Sequence, residues 1–326
     1  LFEHVPVPVL PPSTTLADLT THGDDHAWLA ATTGVFTSHP STPLVLRWNG
    51  TAWTEEDLPR LPRAASLTGI SASAPDDVWA VGNTAGTPLL LHYDGTRWTR
   101  VEAPPIGWVK AVAAITPGDV RVVANGPDTL RRATGTWRVE RALRSPRQGL
   151  HTITATGPDD VWAGGSGWAG TGPTSYQCPL LVHWSGHTWT DHPLPADISP
   201  RGHVTSLAAA SPTDVWLGCA TGTTMTIHRW NGTAWTTLPN RPAPGRLTLH
   251  GVDTGWTWGT WAEPGTFETR PVHFRWTGTD WTRVALPADL TDVSASDTGL
   301  ATTPHGTTTW AYLKTADGVH ILRHRT

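Results

Sequence analysis

Short apolar runs alternate along the chain with clusters of Gly, Pro, Asp and Asn, and the stretch 67–105, LTGISASAPDDVWAVGNTAGTPLLLHYDGTRWTRVEAPP, shows the pattern most completely. Its β-prone runs at 67–72, 78–82, 89–93 and 98–102 predict four strands. Between them lie the turn Ala74-Pro75-Asp76-Asp77, a Gly-rich connection and the turn Asp94-Gly95, and Pro104-Pro105 stops the last strand. An Asp-Gly pair between apolar runs favours a tight hairpin, because both central residues then take positive φ. Prolines and glycines fall between the runs, as a hydrogen-bonded ladder requires. The unit is a predicted four-stranded antiparallel meander.

Variants of it recur along the whole chain. DDHAWLAA is followed by LVLRWNGTAW ending at Trp53, DDVWAGG by LLVHWSGHTW ending at Trp189, and TDVWLGC by TIHRWNGTAW ending at Trp235. More divergent copies end at Trp137 and Trp281, and the last begins at Leu290. The expected units are 16–62, 66–105, 108–146, 149–198, 203–244, 246–288 and 289–326. Seven copies at this period predict an all-β, seven-bladed β-propeller forming a single domain. Phe2-Glu3-His4-Val5-Pro6-Val7-Pro8 matches Trp281-Thr282-Arg283-Val284-Ala285-Leu286-Pro287, with Phe2 in the place of an indole. Residues 2–8 are therefore expected as an outer strand on the last blade, a clasp that hides a sheet edge. The turn Asp317-Gly318 leaves open a local fourth strand over 319–325, which would make the N-terminal strand a fifth.

Fifteen of the twenty Trp occupy three repeating places. Trp28, Trp79, Trp162, Trp216 and Trp256 follow the first turn. Trp48, Trp184, Trp230 and Trp276 precede the last turn, with Tyr93 standing in. Trp53, Trp98, Trp137, Trp189, Trp235 and Trp281 open the last strand. Periodic apolar positions belong to the core, and large aromatics suit the gap between adjacent sheets. Arg121 replaces the periodic indole of the third unit, a local change of packing.

The strand ending in Gly and then HYDGTRWTRVEAPP resembles the kelch repeat, in which a glycine pair precedes a Tyr-Asp turn and a Trp; Gly164-Gly165 keeps the pair. The DVWAVG-type strand is similar to that of Trp-rich propellers in actinobacterial proteins. The resemblance implies a propeller, a fold shared by lectins, scaffolds, lyases and oxidases, so it leaves function to the site.

Charged residues make up 15% of the chain and the net charge is −4, which excludes a basic field that recruits nucleic acid. No apolar run reaches the ~18 residues of a membrane-spanning helix. Lys110 and Lys314 are the only lysines, and the wealth of Ala, Gly, Pro and Thr matches a high-GC bacterial genome. The chain starts at Leu1 rather than Met, which suggests a trimmed leader and an extracytoplasmic location; a monomer is expected. Cys178 and Cys219 fall on one expected rim of neighbouring blades. A disulfide between them would contribute about 3–4 kcal/mol and favour export; two reduced thiols are the alternative.

Five indoles break the rhythm: Trp108, Trp168, Trp258, Trp261 and Trp310. Arg63, Arg147, Arg201 and Arg246 stand just before predicted first strands, and Lys110, His151, His203 and His250 lie at or near their starts. Exposed indoles stack on sugar faces, planar rings or cations, and guanidinium groups pair with carboxylate or phosphate. Packing beneath long loops, and capping of each arginine's own loop, are the structural alternatives. The expected function is binding of a small molecule or carbohydrate in a top-face pocket formed by Trp108, Lys110, Arg147, His151, Trp168, Tyr176, Arg201, His203, Trp258 and Trp261. The alternatives are a lyase- or cyclase-type enzyme and a protein-interaction scaffold. The enzyme would use His151 or His203 as base and Glu263 or Glu268 as acid. Compact metal-ligand spacings, a nucleophile elbow and nucleotide-binding loops are missing, so no cofactor is expected.

Overall fold

A computed structural model describes residues 1–35, 37–239, 246–266, 268–303 and 307–326. Seven antiparallel sheets of four strands each form a seven-bladed β-propeller. The innermost strands of blades one to seven are Thr15–His22, Ser66–Ala74, Val109–Thr116, Gln148–Gly157, His203–Ser211, Arg246–Asp253 and Ala295–Thr302. In the first six blades the remaining strands follow outward in chain order. In the seventh, Thr308–Thr315 and Gly318–Arg325 come next, and Glu3–Val5 is the outer strand. The strand after Asp317-Gly318 is thus the third of its blade, and the N-terminal strand is the fourth. Glu3 pairs in register with Arg323, and their side chains form an ion pair at 2.9 Å. The expected end of the fifth unit, residue 244, lies outside the described residues.

Aromatic wedges join the blades. Second-strand indoles pack on aromatic residues at the third or fourth strand of the following blade. Trp79 meets Trp137 at 5.7 Å, Trp216 meets Trp281 at 6.1 Å, and Trp162 meets Trp230 and Trp235 at 6.1 and 6.0 Å. Trp256 meets Phe2 at 5.8 Å, so the N-terminal phenyl ring fills the place of an indole across the seam. Trp310 belongs to this set. It is fully buried and lies 5.2 Å from both Trp48 and Trp53 of blade one. Sequence spacing marked it as irregular because the turn before it is longer; its ladder partner Ala301 matches Ser71, the partner of Trp79. Such pairs contribute about 0.5–1.5 kcal/mol each beyond the area they bury.

Polar rungs run between the innermost strands. Asp18 accepts the Ile70 N–H at 3.0 Å, Ser71 that of Ala114 at 3.0 Å, Ser206 that of Val252 at 3.0 Å, and Asp253 that of Thr302 at 2.7 Å. The first and third turns of a blade lie together on one side: a Cβ on Gly95 would fall 2.7 Å from that of Asp76. There Asp77 accepts hydrogen bonds from His92 at 2.7 Å, Trp79 at 3.2 Å and Ser73. Asp160 repeats this with His183, Trp162 and Thr156.

The cysteines are not bonded. Cys178 sits in the third strand of blade four opposite Gly167, and Cys219 in the second strand of blade five opposite Val204. Each is held in the ladder of its own sheet. Burial pushes the Cys219 thiol up to about 11, so it behaves as a small apolar side chain.

Candidate functional site

Every innermost strand carries a register shift near its upper end, leaving residues 17, 68, 110, 151, 205, 250 and 296 without ladder partners. A bulge bends its strand and re-aims the extra side chain. Here Ala17, Thr68, Lys110, His151 and Thr205 line the axial channel, a cavity of 490 Å³. The fold is therefore nearly symmetric while the chemistry at its mouth is not: Lys110 and His151 fall on adjacent blades, and the other bulge residues in the channel wall are Ala17, Thr68 and Thr205.

A second cavity, of 730 Å³, opens beside that mouth between blades three and four. Its walls include Asn125 and Gly126 after the second strand of blade three, the segment Pro146–Gly149 before blade four, and Ser166, Trp168, Ser175 and Gln177 around the second-to-third connection of blade four. That connection is longer than its counterparts because the second strand runs on from Asp160 to Ala169, which carries Trp168 beyond the sheet body. Its indole is 54% exposed. His151 lines both this cavity and the channel, so it stands at their junction.

Hydrogen bonds order one wall. Gln177 donates to the Ser166 hydroxyl at 2.8 Å, and Ser166 lies 3.5 Å from His151 Nε2. The His151 and His203 rings are 6.2 Å apart. Burial pushes the His151 imidazole down to about 4, helped by the charges of His203 and Lys110. His151 is therefore neutral near pH 7 and offers one donor and one acceptor. The Gly202 N–H donates to the Gln177 carbonyl at 2.9 Å, which ties the entry to blade five onto blade four. It also sets the Arg201 guanidinium 4.5 Å from the centre of the Tyr176 ring. Among the described residues lining the cavity there is no carboxylate, and the Lys110 and Arg147 side chains have no ion-pair partner.

The channel itself is marked by two aromatic residues from blades six and seven. Trp258 stands opposite Gly251 in the ladder and Tyr312 opposite Gly299, and all but Gly251 line the channel. A Cβ on either glycine would lie 2.3 Å from the aromatic side chain. Absence of a side chain is what lets each ring cross the inner strand. In the same channel Asp18 is pushed up to about 6, by burial first and against two backbone hydrogen bonds, and Asp253 is raised by burial as well.

The expected residues thus divide. Arg147, His151 and Trp168 share the rim cavity; Lys110 and His203 adjoin it through His151; Tyr176 and Arg201 stand as a stacked pair on its edge. Trp108, 48% exposed, is tethered beside it by the bond from the Asn125 N–H to its carbonyl at 2.8 Å. Trp258 lies in the channel wall, and Trp261 packs half-buried in the core cluster of blades five and six. Glu263 and Glu268 are not brought to the histidines. They lie on the exposed connection after the second strand of blade six, where Glu263 faces Arg270 at 3.7 Å. Sequence reasoning passed over Asn125, Gln148, Ser166 and Gln177, whose residue types are unremarkable in turns. It also passed over Tyr312, for which the inner-strand glycine Gly299 was the available sign.

Protein-family models and curated proteins offer no match to this chain. Solved structures do. Virginiamycin B lyase from Staphylococcus aureus, in a catalytically inactive form with quinupristin, superposes with a TM-score of 0.67 at 14% identity, covering 99% of both chains. YCF48 bound to D1 peptide gives 0.61 at 15%, covering 100% of this chain and 97% of that one. The WD40 β-propeller domain of Doa1 gives 0.63 at 9%, covering 100% and 97%. At these identities the likeness is one of fold.

Proposed function

We propose that this single-domain propeller is a binding protein for a small molecule or glycan, held in the rim cavity of blades three and four and reaching toward the axis at His151. The observation that carries this reading is the exposed Trp168 indole over a cavity whose other walls are amides, hydroxyls and an unpaired guanidinium. A small-molecule site has this composition: an apolar platform for the ligand's body and a few placed polar groups for its orientation. The volume of 730 Å³ lies within the ~300–1,000 Å³ of such sites. Its lining, with Arg147 and Trp168 outside the repeat pattern, favours a single ligand per molecule over one per blade. The catalytic reading has less support: among the described residues lining the rim cavity there is no carboxylate, and Glu263 and Glu268 lie on another blade.

The test is a ligand screen by thermal shift with Trp168→Ala and Arg147→Ala as controls. Both residues are exposed, so the variants keep the parent Tm while losing the shift caused by a true ligand. A ligand that shifts all three proteins equally binds elsewhere and removes the site.

A further inference from the structure

We infer that the rim cavity selects an acidic sugar, a ring with one apolar face, several hydroxyls and a carboxylate. The inference rests on the binding reading above and narrows it to one chemical class. Three features of the wall converge on that class. The Trp168 indole, 54% exposed, offers the flat surface against which the C–H face of a pyranose packs. Asn125, Gln148, Ser166, Ser175 and Gln177 offer both donors and acceptors, the mixed inventory that hydroxyl groups need.

The third feature is charge. Lys110, Arg147 and Arg201 are gathered about the cavity with His151 and His203. Among the described residues, none of the three permanent cations has a carboxylate partner. Elsewhere in the molecule Arg121, Arg131, Arg229 and Arg323 are each paired to Asp or Glu. The whole chain carries a net charge of −4, so a concentration of unpaired cations around one cavity is a local property rather than a surface average. A neutral sugar leaves these groups unused, and a flat aromatic acid leaves the amides and hydroxyls unused. A uronate uses all of them: the carboxylate against Arg147, with Lys110 adding longer-range attraction, the ring over Trp168, and the hydroxyls along Gln177, Ser166 and Asn125.

Saturation-transfer NMR on the whole protein, with D-glucuronate and D-glucose as matched probes and benzoate as a third, tests the inference. The expected result is glucuronate binding at least tenfold tighter than glucose or benzoate, weakened at least tenfold by Arg147→Ala and by Trp168→Ala. Arg147→Lys should restore part of the loss from Arg147→Ala. Equal binding of glucuronate and glucose, both lost in Trp168→Ala, overturns the acid selectivity and leaves the cavity as a binding site. Tighter binding of benzoate than of glucuronate overturns the sugar assignment and keeps the anion site. Failure of all three probes, with a peptide or other compound from the thermal-shift screen acting through Trp168, overturns the acidic sugar alone. Glucuronate binding unaffected by either alanine variant removes the site itself.

Discussion

The Arg121 guanidinium lies 4.2 Å from the centre of the Trp184 ring in the next blade and donates to Glu140 at 2.6 Å. A charged group thus stands where the six other blades use an indole in the second strand. Its flat cation stacks on the aromatic pair that an indole would otherwise meet, and the Trp189 ring is 5.3 Å away. Arg121→Ala leaves a void against two indoles and strands Glu140. The expected loss is about 3–5 kcal/mol, read as a lower midpoint in urea unfolding. Arg121→Trp combined with Glu140→Gln should be neutral or stabilising, since an apolar replacement of a buried pair often is. A double variant as unstable as Arg121→Ala would mean that the pair itself holds blades three and four together.

Much of this architecture was legible because the wedges repeat with the chain: seven units, the three indole positions, and Phe2 as a substitute at the seam all follow from spacing. Trp310 was misjudged for a physical reason, since a longer turn shifts its sequence position but not its ladder partner. The bulges were invisible, because an extra residue on one strand changes pairing without changing hydrophobic period. They decide the site nonetheless, by placing Lys110 and His151 at the channel mouth. The cysteine pairing and the roles of Glu263 and Glu268 rested on a shared rim, and nearness to a rim does not specify which strand or loop faces which.

His151 supplies a pH dependence for anion binding. Burial, His203 and Lys110 hold its imidazole at about 4 in the free protein. A carboxylate seated nearby raises that value, so binding takes up a proton between the free and the bound pKa. Affinity for glucuronate should therefore rise as the pH falls from 7 toward 5, and His151→Gln should flatten the profile. Titration calorimetry in two buffers of different ionisation enthalpy measures the proton uptake. A flat profile in the parent protein would place His151 outside the reach of the ligand's charge.

Asp18 gives stability its own pH dependence. Its folded pKa is raised to about 6 from an ordinary 3.8, chiefly by burial, so the folded state holds the proton that the unfolded chain has already lost. Stability contributed by this group is present below pH 4 and falls as the pH rises from 4 to 6. The loss is at most about 3 kcal/mol. Asp18→Asn should remove that slope, while weakening one of the two backbone hydrogen bonds that Asp18 accepts from Leu19 and Ile70. Urea midpoints of parent and variant across pH 4–7 compare the two, and parallel slopes would show that Asp18 ionises freely.

Gly299 should tolerate no side chain while Tyr312 crosses it. A methyl group there would sit 2.3 Å from the ring, so Gly299→Ala must either displace Tyr312 or shift the strand. The expected cost is about 1–3 kcal/mol, as for overpacking in a core. Gly299→Ala with Tyr312→Val, which copies the non-aromatic pairing of Gly69 with Val81, should recover most of it. If the double variant is no better than the single one, backbone freedom at Gly299 matters more than the crossing ring.

The outer strand of the last blade, Glu3–Val5, precedes every other strand of the ring in the chain, and its partner Gly318–Arg325 follows them all. During translation six blades can form in sequence on the ribosome while the ring stays an open arc. Trp256 then has one flank waiting for Phe2 and the final sheet to assemble around it. Closure consequently waits for the last blade, and a chain stalled before residue 318 would carry a bare edge that invites neighbours to pair with it.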